Sequence, residues 1–150
     1  MSISEYWEKF LKDTNQNPDE VGFSGELSFD GNSVSGPERL TLVLNDKKTA
    51  VFTAFDSYGI NREQLPVSGE LYIVEDASGK PACIIEVTDV NLIPFGEVSW
   101  GIASREGEDE SLEEWREKTR ELMEEEGDIC GFEFNDSSKL VCEIFRVIYR

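Results

Sequence analysis

Lys48 has the surroundings in this sequence best suited to chemistry. It follows Leu40, Val43 and Leu44, apolar at helical spacing, and precedes Thr49 to Phe55, a run rich in Thr, Val and Phe. A lysine leaving a helix and entering a strand is expected to be partly desolvated, the condition under which it becomes a useful base. A nearby carboxylate would oppose this by stabilising its charge. The plainer alternative is a cation complementing the dipole of the preceding helix. Thr49, Val51 and Thr53 alternate by two and share one face of the strand, which makes the two hydroxyls candidate ligand contacts. Tyr58, expected in the loop after that strand, can stack on a base or simply cap a hydrophobic edge.

The remaining inventory excludes much. There is no histidine, so Ser-His and Cys-His catalysis, histidine metal sites and histidine pH switches are ruled out. Cys83, Cys130 and Cys142 are an odd number without C-x-x-C spacing, so neither a disulfide framework nor a zinc knuckle is indicated. Cys83 and Cys142 lie in strand-like runs and read as small buried hydrophobes. Acidic residues number 32 against 14 basic, a net charge of −18, which disfavours duplex DNA and anionic membrane. Any RNA contact needs a local basic pocket.

From Ser104 to Asp128 there are twelve acidic and four basic side chains, a local net of −8. This reads as a solvated helix face softened by pairs such as Glu114 with Lys118. A protein partner bound through the acidic face 106–128 is the alternative. Acids pointing outward from a helix do not converge on an ion, so neither metal nor cofactor is expected.

The elements that must position these residues can be read from periodicity. Ser2 and Glu5 have capping-box spacing, and Ile3, Trp7, Phe10 and Leu11 follow on one face, predicting a helix over 3–13. Residues 14–36 are rich in turn formers around Val21, Phe23, Leu27 and Phe29, and predict an irregular segment laid over the core. Gly36-Pro37-Glu38 starts a second helix that stops near Asp46. Strands are predicted over Thr49–Phe55, Gly69–Glu75 and Pro81–Val90, the last two joined by a hairpin loop over Asp76–Lys80. A short helix over Phe95–Ser104 follows. A longer one is capped by Ser111, with Leu112, Trp115, Thr119 and Leu122 inward, and the chain closes with a strand over Lys139–Tyr149. Helices and strands do not alternate regularly, so the class is α+β. No window approaches the ~18 apolar residues of a membrane span, and the N-terminus lacks a signal pattern, so a cytoplasmic protein is expected.

The run Leu44-Asn45-Asp46-Lys47-Lys48-Thr49-Ala50 begins an ordered set of familiar stretches. Leu65-Pro66-Val67-Ser68-Gly69-Glu70 and Gly79-Lys80-Pro81 follow, then Ile84-Ile85-Glu86-Val87-Thr88-Asp89-Val90 and Pro94-Phe95-Gly96-Glu97-Val98. The longest runs from Ala103-Ser104-Arg105-Glu106-Gly107-Glu108 to Trp115, and Val141-Cys142-Glu143-Ile144-Phe145 completes the set. Over about residues 37–149 the chain resembles the ASCH domain family. The resemblance implies a PUA-like mixed β-barrel with flanking helices. It divides the chain into residues 1–36, an N-terminal helix and irregular segment packed on the core, and an ASCH-like domain over 37–150.

The family has been associated with RNA binding, with ribonuclease activity and with hydrolysis of N4-acetylcytidine by small amidohydrolases. The amidohydrolase motif Gly-x-Lys-x-x-Thr-x-Arg, with a later glutamate, places its lysine on Lys48 and its glutamate on Glu106. Asp46 stands at the glycine position, Val51 at the threonine and Thr53 at the arginine. The implied function is a binding module for a nucleoside, a nucleotide or short single-stranded RNA. Its ligand contacts would be Lys48, Thr49, Thr53, Tyr58 and Glu106. A hydrolase using Lys48 and Glu106 for proton transfer is the runner-up, and an acidic protein-interaction module the third reading.

Overall fold

The computed structural model describes residues 1–29 and 36–150. Helix α1 (Ile3–Asp13) is capped by Ser2, whose hydroxyl accepts from the Glu5 amide at 3.1 Å. This satisfies one of the helix's free N–H groups, as the capping spacing predicts. The expected irregular segment 14–36 contains a strand, β1 (Gly25–Ser28), parallel to β3 (Leu71–Glu75) with Gly25 opposite Tyr72. Gly-Glu-Leu-Ser has little strand propensity, so pairing with a distant strand, rather than local preference, makes it one. Residues 30–35 of that segment lie outside the described residues.

Helix α2 (Gly36–Leu44) buries Val43, and just beyond it Asp46 turns into the left-handed region at φ 59°. Strand β2 (Ala50–Ala54) pairs antiparallel with β5 (Lys139–Tyr149). Strand β3 pairs antiparallel with β4 (Pro81–Pro94), which continues four residues past the expected end at Val90. In their connecting loop the Asp76 carboxylate accepts from the Ser78 and Lys80 amides, and Gly79 supplies the positive φ of 77°. The sheet order is β1-β3-β4-β5-β2, with parallel and antiparallel pairs and with helices between strands, as the α+β class requires.

The chain divides into two compact units. The first comprises Met1–Lys47, Ser68–Thr88 and Phe145–Arg150. Tyr6 and Phe10 of α1 are buried there with Leu71, Ile73 and Ile84. The second comprises Lys48–Val67 and Asp89–Ile144, and its core holds Ala54, Phe95, Val98, Ala103, Trp115, Met123, Phe134 and Leu140.

Within the second unit several elements depart from expectation. Tyr58 lies not in a loop but in a short helix, α3 (Phe55–Ile60), whose first residue follows β2 directly. Ala54 offers no side-chain cap, so nothing local announces this helix. The helix expected over Phe95–Ser104 is broken into a 3-10 turn at Phe95–Glu97, α4 (Trp100–Ala103) and a second turn at Ser104–Glu106. The Phe95 and Gly96 amides are drawn to the carbonyls of Ser138 and Asp136, which ties the segment's start to a neighbouring loop.

Helix α5 (Leu112–Cys130) starts where Ser111 accepts from the Glu114 amide at 3.1 Å. Its buried stripe is Trp115, Thr119, Met123 and Gly127, a strict i,i+4 series, so Leu122 stands 50% exposed instead of inward. Glu113, Glu117 and Glu124 are exposed as expected. Gly131 ends the helix at φ 90°, and the chain then folds back so closely that a Cβ on Gly127 would lie 2.5 Å from the Phe132 carbonyl oxygen. Cys83 and Cys142 are buried, which pushes each thiol up to about 11. Among the described residues no helix is long and apolar enough to cross a membrane.

Candidate functional site

The site residues that come together lie in the second unit. The Thr49 amide donates to the Arg105 carbonyl at 2.7 Å, fixing the start of β2 against the turn at Ser104–Glu106. That contact brings Lys48 under the same turn. Its side chain is only 3% exposed, and Nζ donates to Glu108 Oε2 at 2.7 Å, to the Glu106 carbonyl at 3.3 Å and to the Ala50 carbonyl at 3.4 Å. Glu108 is itself 17% exposed, so the pair is largely withdrawn from water.

Glu106 therefore meets Lys48 through its backbone. Its carboxylate turns the other way and accepts from Lys118 Nζ at 2.8 Å, while Asp109 accepts from the same ammonium at 2.6 Å. Gly107 makes this splay possible: at φ 76° it reverses the chain between Glu106 and Glu108. Lys118 is thus held by Glu106 and Asp109, not by Glu114, whose carboxylate accepts from the Glu110 amide. Burial alone would lower the Lys118 pKa, but Glu106, Asp109 and Glu108 outweigh it and hold the ammonium above its ordinary range.

Among the described residues, two ammonium groups and three carboxylates make up this cluster, a net charge of −1. Its acids are engaged by lysines, and among the described residues no group of three or more acids or cysteines could hold a metal ion.

A second polar group forms along β2. Val51 is opposite Glu143 and Thr53 opposite Val141 on β5, so these four side chains share one face of the sheet. The other face carries Phe52, whose ring meets Trp115 edge-on at 4.9 Å, together with Ala54 and Leu140 in the core. Thr53 and Tyr58 are joined by a side-chain hydrogen bond. Tyr58 is half-buried, and desolvation raises its pKa; the Thr53 bond opposes this, and the charges of Glu143, Glu63 and Glu126 reinforce it. Thr49, half-buried, contributes its backbone to the turn contact described above.

Lys48, Thr49, Thr53, Tyr58 and Glu106 can all be singled out from sequence, whereas Glu108, Asp109, Lys118 and Glu143 enter only through geometry. The one local signal for the first two is a glycine embedded in the acidic run ahead of the Ser111 cap. Such a glycine lets consecutive acids face different ways.

An ASCH domain family model matches residues 27–149. No curated protein matches the chain. Among solved structures, an ASCH domain from Lactobacillus crispatus JV V101 is 29% identical, with a TM-score of 0.84 over 95% of this chain and 94% of that one. A protein from Enterococcus faecalis V583 is likewise 29% identical, with a TM-score of 0.84 over 98% of this chain and 88% of the other. The α+β sheet and its flanking helices are accordingly of the PUA-like type. The chain belongs to the ASCH domain family.

Proposed function

We propose that this protein is a binding module for a nucleoside, a nucleotide or short single-stranded RNA. Lys48 is its central polar contact, with Thr49 and Glu106, the latter through its carbonyl, beside it. Thr53 and Tyr58, farther along β2 and in α3, are contacts for a ligand longer than one nucleoside. The observation that carries this reading is the held Lys48 ammonium. Its bond to Glu108 is short, but its two carbonyl bonds are long for N–H···O geometry. A ligand oxygen can replace either carbonyl without separating Lys48 from Glu108. Holding a buried ion pair has a desolvation cost, which a donor poised for a ligand would explain. The net charge of −18 favours a small ligand over a long nucleic acid.

Hydrolysis has less support. Val51 has no hydroxyl, the Thr53 hydroxyl is bonded to Tyr58, and Lys48 is engaged as a donor. Leu122 and Ile129, exposed among the acids of α5, favour a protein partner as the second reading.

Titration calorimetry against a nucleoside panel tests the proposal. Lys48→Ala is expected to weaken binding by about 1–3 kcal/mol, the scale of one charged hydrogen bond, and the exposed Lys47→Ala to leave it unchanged. Equal losses from both lysines would indicate diffuse charge and contradict it. Turnover of N4-acetylcytidine that vanishes in Lys48→Ala would favour the hydrolase instead.

A further inference from the structure

We infer that the pocket between α3 and Phe132 is a second base subsite, taking one unpaired nucleobase of a short RNA whose other end lies at Lys48. This deepens the nucleoside-binding reading above and rests on it. The pocket holds about 330 Å³ and is lined by Phe55, Asp56, Gly59, Ile60 and Phe132, all in the second unit. That is the small end of ligand pockets, which run from about 300 to 1,000 Å³, and suits one base better than a larger ligand.

Its chemistry is that of a stacking platform. Phe55 and Phe132 are both half-buried, so each lines the pocket from a fixed position in the fold. Gly127 and Gly131 place Phe132: its amide donates to the Gly127 carbonyl at 3.0 Å as the chain folds back from α5. Gly59 leaves its side of the pocket open, since a Cβ there would meet nothing within 4 Å. Lys139 Nζ lies 6.0 Å from the Phe55 ring centroid, a cation beside the platform where a backbone phosphate would run. Asp56 in the lining accepts hydrogen bonds only; adenine can donate to it from its exocyclic amine and presents a larger stacking face than uracil, whose base donor is N3–H.

The separation sets the ligand's length. Strand β2, five residues long, lies between Lys48 and α3 and spans about 17 Å at ~3.3 Å per residue. One nucleoside cannot touch both places. A strand of about four nucleotides, the short end of the ~4–16 that small barrels accept, can.

The test compares adenosine, tetra-adenylate and tetra-uridylate by titration calorimetry. In the native protein tetra-adenylate should bind about tenfold tighter than adenosine, the scale of one added stacked base. Tetra-uridylate should gain less. Phe132→Ala should remove the gain while leaving adenosine binding unchanged. Because Phe132 also packs against the core, Gly59→Leu provides a second variant that fills the pocket without emptying the core, and it should do the same. Lys48→Ala should weaken both adenosine and tetra-adenylate. Adenosine binding with no gain for tetra-adenylate would refute the subsite and leave the nucleoside reading standing. A gain that survives both pocket variants would also refute the subsite, and an equal gain for tetra-uridylate would refute the role given to Asp56. Binding of neither ligand would refute both readings.

Discussion

Lys48 and Glu108, sixty residues apart in sequence, form an ion pair 2.7 Å long that is nearly closed to water. Removing one partner of such a pair leaves the other charge buried without that counter-charge. Glu108→Ala should therefore destabilise the protein by about 3–5 kcal/mol in urea unfolding, the range for a broken buried pair. Asp136→Asn, which breaks the exposed pair with Arg120, should barely move the midpoint. Equal effects would show that the Lys48 pair contributes no more than a surface contact.

Two glycines should respond oppositely to alanine. At Gly127 the new Cβ would stand 2.5 Å from the Phe132 carbonyl oxygen, so helix or turn must move, at a cost of about 1–3 kcal/mol. At Gly59 the space is open and φ is not in the left-handed region, so alanine should be neutral or add up to about 1 kcal/mol through reduced freedom of the unfolded chain. Thermal unfolding of the two variants checks both signs.

The buried thiols set a pH window. Cys83 and Cys142 hold their protons up to about 11 in the folded state, whereas an unfolded cysteine begins to lose its proton near 8.5. Their contribution to stability is thus fully present below about pH 8.5 and is lost as pH rises toward 11. Alkaline urea titrations should show that decline, and Cys83→Ala with Cys142→Ala should flatten it. A thiol reagent at pH 8 should label only Cys130 in the native protein.

What the sequence makes legible is local. Ser2 with Glu5 and Ser111 with Glu114 announce their helices because a cap bonds within one turn. The phase of α5 is harder: Leu122 and Met123 are adjacent and both apolar, and only the close approach at Gly127 shows that the stripe runs through Met123. Strand β1 and helix α3 carry no local signal, because one depends on a distant partner strand and the other lacks a side-chain cap. Within the site, Lys48 and Glu106 are the two positions that the family resemblance points to. It does not point to their true partners, since the left-handed turn at Gly107 decides which acid faces which lysine.

The most direct measurement of the central claim is a nucleoside titration followed by amide NMR on the native protein. Binding at Lys48 predicts saturable shifts that concentrate on Thr49, Ala50 and the turn from Arg105 to Asp109, where the Thr49 amide meets the Arg105 carbonyl at 2.7 Å. Shifts confined to the outer face of α5, or no shifts at any nucleoside concentration, would contradict it.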